Sequence, residues 1–295
     1  MTTSHPLLLA ALLTAACSPA ANQTDQAGQA GQSGSPLAAA QTVPAPPAPT
    51  NARRVGTLAA GIRESSGLCP APQAGTFFTF GDNGQPPVVF RVDATGHQLG
   101  QFTLAAKNHD WEILSRDGAG NYYLGDCGNN NADRQNLVLV KFRPENPALV
   151  QKIKFSYPDQ TEFPPAKKQR NFDCEASLWH GGQVYLFTKD RGQQATCKVY
   201  TVPDQPGTYV AKLIAKIALP GEVTDAALSP DGRRLVLLAR QELFVLEGNS
   251  WEQLLRAAPR RVGLEGAGQT EGVAFKDART LLISTEEGSL YELGL

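Results

Sequence analysis

The chain has 295 residues, of which 19% are charged and 41% hydrophobic, and its net charge is −1. It is long enough to bury a large core, and it lacks the bulk charge with which proteins hold nucleic acid or an anionic membrane surface. Binding to either by net charge is excluded, so any activity must come from a few local side chains.

Residues 7–16 form an apolar run of ten, too short to span a bilayer but of the length of a secretory h-region, and Ala15 and Ala16 precede Cys17. This resembles the lipobox of bacterial lipoproteins, although Leu13 stands one place early and only His5 offers a cation in the n-region. Residues 1–16 are therefore expected to be a signal peptide and Cys17 the lipidated first residue of the mature chain, with ordinary cleavage nearby as the alternative. Residues 17–52 are rich in Ala, Gln, Gly, Ser and Pro and carry no aromatic side chain, so they cannot bury enough surface to offset the entropy of ordering. They read as a disordered tether, and the chain as an exported, lipid-anchored envelope protein, or else a periplasmic or secreted one.

Residues 53–60 look like a strand without a sequence neighbour to pair with. After them the chain rewrites one short line: a hydroxyl or acidic residue followed by small and apolar residues entering a strand. It occurs at Ser66, Glu112, Glu175, Asp225 and Glu271, with intervals of 46, 63, 50 and 46 residues, the spacing of a supersecondary unit repeated around an axis.

Each line opens a set of short strands separated by Gly, Pro and Asp turns. The first set covers residues 66–104, the second 110–157, the third 173–219, the fourth 223–262 and the fifth 270–293. The fourth contains the turn Ser229-Pro230-Asp231-Gly232, in which Pro presets φ and Gly supplies the left-handed position. The fifth set has three strands, and the strand at 53–60 completes it. Residues 53–295 are thus expected to form an all-β, five-bladed β-propeller closed by its N-terminal strand; six blades is the alternative if residues 158–171 hide a further unit.

First strands of blades line a propeller's channel, so Ser66, Glu112, Glu175, Asp225 and Glu271 should converge. Four carboxylates in a narrow channel persist only by taking up protons or by surrounding a cation. Oxygen donors without His or Cys suit Ca²⁺ better than zinc. A solvated channel whose acids bond to strand-end N–H groups is the alternative.

The lines at Ser66, Glu112, Glu175, Thr224-Asp225 and Glu271 resemble, in the same order, the inner-strand series of the calcium-activated nucleotidases, the five-bladed apyrase family. Gly81-Asp82-Asn83-Gly84 falls where that family has an acidic pair, with Asn83 in place of the second acid, and Lys189-Asp190-Arg191 falls where it has a basic pair. Gly125-Asp126-Cys127-Gly128-Asn129-Asn130 has no counterpart. The resemblance implies a central calcium and nucleotide hydrolysis.

Strand direction places the ends of second strands beside the starts of first strands. Asp82, Asn83, Asp126, Asn129, Lys189, Arg191 and Arg240 should share one mouth with His109, Asp110, Arg170 and Asp173. There Asp82 or Asp126 would serve as general base, His109 as proton shuttle, and Asn83, Asn129, Arg170, Lys189, Arg191 and Arg240 as substrate contacts. Cys127 and Cys174 become neighbours across blades two and three, either bridged or as two buried thiols, and Trp111 is expected to pack between blades.

Two activities follow. One is calcium-dependent hydrolysis of a phosphoester, phosphoanhydride or related ester. The other is a calcium-stabilised, non-catalytic module for a glycan, peptide or envelope partner. A monomer is expected in either case.

Overall fold

The computed structural model describes residues 52–295. The signal peptide, Cys17 and nearly all of the tether lie outside the described residues. Within them, no helix is long and apolar enough to cross a membrane.

Strand β1 (Arg53–Thr57) is followed by four short strands, β2 (Cys69–Pro70), β3 (Thr76–Phe80), β4 (Val88–Asp93) and β5 (Gln98–Thr103), which pair in order as the first blade. The second blade is β6 (Trp111–Arg116), β7 (Tyr122–Asp126), β8 (Val138–Phe142) and β9 (Gln151–Ser156). The third is β10 (Asp173–His180), β11 (Gln183–Lys189), β12 (Thr196–Pro203) and, after β13 (Gly207–Val210), β14 (Lys212–Ala218). The fourth is β15 (Val223–Leu228), β16 (Arg234–Ala239), β17 (Glu242–Glu247) and, after helix α1 (Trp251–Arg256), β18 (Arg260–Gly263). The fifth is β19 (Thr270–Phe275), β20 (Thr280–Thr285) and β21 (Ser289–Gly294), with β1 antiparallel to β21 as its fourth strand.

Closure follows from packing. The core divides into five buried clusters, and each joins two neighbouring blades: Phe80 and Leu124 between the first and second, Tyr123 and Val184 between the second and third. Phe187 and Leu235 join the third to the fourth, Val236 and Val273 the fourth to the fifth, and Phe77 with Leu282 joins the fifth back to the first. A ring in which the last sheet packs on the first leaves only outer strands with free edges. Trp111 is wholly buried in the first of these clusters, edge-on to Phe80.

Residues 158–171 contain a single 3-10 turn (Lys167–Gln169) and no further blade, so the ring has five blades, not six. That connector is tied down by side chains: Asp159 accepts from Tyr200 Oη at 2.7 Å, and Gln160 Nε2 donates to Ala132 O at 2.7 Å.

Two segments depart from the sequence expectation. Residues 251–256, read as part of an outer strand, form α1, because Ser250 caps Gln253 N and Trp251, Leu254 and Leu255 fall on one helical face. Residues 209–219, expected as one strand, are divided between β13 and β14. Strand β13 leaves its own blade and pairs in parallel with β9, binding the second blade to the third.

Candidate functional site

Every inner strand carries one residue more than its partner at the same height. In β6, Trp111 faces Asp126 and Ile113 faces Gly125, which leaves Glu112 unpaired. The same count isolates Glu175 in β10, Thr224 in β15 and Glu271 in β19. In the first blade Ser65 bridges Gly81 while Cys69 faces Phe78, and Ser66 N donates to Phe80 O at 3.2 Å. A bulge kinks a strand and re-aims the extra side chain, so the repeated line is a repeated bulge.

The register sets one member of the expected ring apart from the bulge positions. In the fourth blade the bulge residue is Thr224, whose Oγ1 donates to Thr270 O at 2.9 Å. Asp225 is turned instead into the seam between blades. Its Oδ2 accepts from Val273 N at 2.7 Å and Leu68 N at 3.3 Å, and its Oδ1 from Ala226 N at 2.8 Å. Burial pushes its pKa up to about 8, against the pull of those three amides. Asp225 thereby fastens the inner strands of the first, fourth and fifth blades.

The remaining acids fall into two groups. On the side of blades one and two, Ser66 Oγ donates to Glu112 Oε2 at 2.6 Å, and carboxylate oxygens of Asp82, Asp110 and Glu112 all lie within 4.8 Å of one another. Burial and the neighbouring acids raise all three pKa values, Asp110 to about 6. Gly128 makes the crowding possible, since a Cβ there would stand 2.4 Å from Asp110 Oδ2 and 2.9 Å from Glu112 Cγ.

On the opposite side the chain supplies its own cations. Glu175 is held by Lys189 Nζ at 3.2 Å and Arg191 Nη2 at 2.9 Å, and Arg191 Nε also meets Asp173 Oδ2 at 2.6 Å. Burial works against the Lys189 charge, but Glu175, Glu271 and Asp173 outweigh it and hold its pKa above the usual lysine value. Glu271, its pKa raised by burial, accepts from Gln269 Nε2 at 3.0 Å, and the exposed Arg240 opposes that rise.

Beside the first group, His109 Nδ1 lies 2.6 Å from Asp126 Oδ2, and Asp126 Oδ1 is taken by Arg134 Nη2 at 2.8 Å. Asp126 is buried, whereas 54% of the His109 side chain is exposed. Both line a groove of about 910 Å³ that runs outward across the second blade.

The other predicted contacts are distributed unevenly. Asn83 is exposed beside Asp82, its N–H bonded to the Asp82 carboxylate. Asn129 is consumed structurally, its N–H donating to Asp173 Oδ1 at 2.5 Å and its Oδ1 accepting from Arg134 N at 2.9 Å. Arg170 folds back on its own connector, donating to Pro165 O at 3.5 Å, and no bond carries it to the acids. Cys127 and Cys174 are neighbours as expected but stand as buried free thiols, with Cys127 Sγ 3.6 Å from Cys174 O. Sequence reasoning missed both Arg134, which comes from an irregular loop with no repeat to mark it, and Gly128, whose one signal is a glycine amid Asp and Asn.

No family model matches the chain, and no curated protein matches it. Many solved structures match it, and two of them align with TM-scores above 0.5. Glutaminyl cyclase from Myxococcus xanthus aligns at a TM-score of 0.54 with 11% identity, over 84% of this chain and 97% of that one. The PQQ-bound aldose sugar dehydrogenase from Streptomyces coelicolor aligns at 0.51 with 15% identity, over 85% and 99%. At such identities the likeness is one of fold, and function must be argued from the site.

Proposed function

We propose that the chain is a calcium-dependent hydrolase of phosphoesters, phosphoanhydrides or related esters. The observation that carries this reading is adjacency: the triad of acids Asp82, Asp110 and Glu112 adjoins the His109–Asp126 pair, and His109 follows directly into Asp110.

The donor set fits a hard cation. Three carboxylates and the Ser66 hydroxyl offer oxygen only, and burial with the neighbouring acids raises their pKa values even though Arg134 Nη1 lies 3.7 Å from Asp110 Oδ2. Ca²⁺ bound by these residues would supply Lewis-acid polarisation of a phosphoryl oxygen. The chain supplies the rest. Asp126, itself fixed by Arg134, commits His109 Nδ1 and leaves Nε2 to take a proton from the attacking water. As the water oxygen bonds to phosphorus and the P–O ester bond breaks, His109 returns that proton to the leaving oxygen. The inner-strand likeness to calcium-activated nucleotidases makes nucleotides the first substrates to try, and a signal peptide with a lipidated Cys17 would place the activity at the cell envelope.

One observation favours the non-catalytic alternative: Lys189 and Arg191 already neutralise Glu175, so fewer acids are left to hold a bound cation, enough to rigidify the ring. Turnover of a panel of nucleotides and aryl phosphates, with and without chelator, separates the two. The hydrolase reading expects chelator-sensitive turnover that falls roughly 10²- to 10⁴-fold in His109→Ala with unchanged stability. Stoichiometric calcium with no turnover would leave the ligand-binding module.

A further inference from the structure

The groove beside His109 has a chemistry of its own. Antiparallel partners project to the same face of a sheet, and in the second blade Asp126 faces Val138, which faces Lys154; one row along, Val140 faces Lys152. These side chains therefore share the face that looks toward the first blade, and all but the buried acid are apolar or basic. With strands about 4.8 Å apart, Lys154 sits two strand spacings, roughly 10 Å, from Asp126. Lys107 closes the groove on the side of the first blade, where the buried Leu104 also lines it.

The charges are unbalanced. Asp126, the sole carboxylate of the lining, is already matched by His109 and Arg134. Among the described residues no acid pairs with Lys107, Lys152 or Lys154, and Lys107, Lys152 and Lys154 are exposed. An apolar trough about two strand spacings long, with a proton-transfer pair at one end and two unpaired ammonium groups at the other, matches an elongated ligand with an apolar body and an anionic remote end.

We infer that this groove selects substrates in which a second anionic group lies about 10 Å from the scissile ester, across an apolar or aromatic spacer, with Lys152 and Lys154 as its remote anchor. The inference rests on the hydrolase reading for the identity of the reacting end and on the groove alone for the remote end. Lys152 and Lys154 are positioning residues, since they touch the substrate far from the reacting bond.

Biphenyl phosphonates test it, because their carbon–phosphorus bonds resist hydrolysis and binding is read apart from turnover. Calorimetry should show the diphosphonate, with one phosphonate on each ring, binding the full-length protein on the order of tenfold tighter than the monophosphonate at low salt. In the double variant K152E/K154E that advantage should vanish while monophosphonate binding stays close to wild type. The variant K168E/K216E, which makes the same charge change at a cavity under the 158–171 connector, should keep the advantage. Equal binding of the two probes by the wild type, or an advantage that survives K152E/K154E, overturns the inference. A retained, lysine-dependent advantage in a protein that hydrolyses nothing would sink the hydrolase reading and leave the groove standing.

Discussion

Lys189 Nζ lies 3.2 Å from Glu175 Oε2 with 7% and 3% of the two side chains exposed, so each charge depends on the other in a space almost without water. Removing one partner of a buried pair strands the other, at a cost of about 3–5 kcal/mol. Lys189→Met should therefore lower the urea midpoint sharply, with Arg191 limiting the loss to the lower end of that range. Adding Glu175→Gln should recover part of it. Strictly additive losses in the double variant would show that the pair carries no coupling.

Asp225 gives the pH profile its sign. Its folded pKa of about 8 stands above the ordinary 3.8, so between those values the folded chain keeps a proton that the unfolded chain releases. Stability contributed by this group is full below about pH 4 and is lost as pH rises toward 8, by up to about 1.4 kcal/mol per pH unit. Glu112 and Glu271, also raised by burial, act in the same direction. Asp117 and Asp159, lowered by hydrogen bonds despite burial, act oppositely, and their stabilisation is lost only as pH falls through their depressed pKa values. Urea midpoints in chelator should fall across the window, more gently in Asp225→Asn. A midpoint that rises from pH 5 to 8 would contradict this account.

Gly128 offers a point test of the acidic group. Gly128→Ala puts a Cβ 2.4 Å from Asp110 Oδ2, so Asp110 and Glu112 must move apart, while Gly118→Ala meets nothing within 4 Å. Thermal melts with and without calcium should show the calcium-dependent rise in Tm lost in the first variant and kept in the second. Glu112→Gln should behave like Gly128→Ala. If both keep the full rise, the cation does not bind at this group.

Closure by β1 is testable by truncation. Arg53 faces Glu292 and pairs with it at 2.7 Å, and Thr57 faces Ser289. A chain begun after Thr57 should melt lower than one begun at Ala52 and should scatter light in a concentration-dependent way, because it bares the edge of β21. Identical melting and scattering would mean that the ring closes without this strand.

Much of this architecture was legible because a propeller writes its repeat into local sequence. Short alternating strands, Gly and Asp turns and a recurrent first-strand line count the blades, and the three-stranded last unit asks for a strand from the other terminus. The fourth blade asks for an outer strand over residues 251–262, whereas the Ser250 cap and the spacing of Trp251, Leu254 and Leu255 make residues 251–256 a helix. At Asp225 an acid beside a threonine resembles the other lines, whereas the register puts Thr224 at the bulge.

The amino-acid order alone determined the blades and favoured five of them, because strand period and turn chemistry are local properties that add up around an axis. Only the tertiary structure decided which acids meet each other and which meet Lys189 or backbone amides. That partition depends on one-residue bulges and on Å-scale approaches such as that at Gly128, through contacts between segments far apart in the chain.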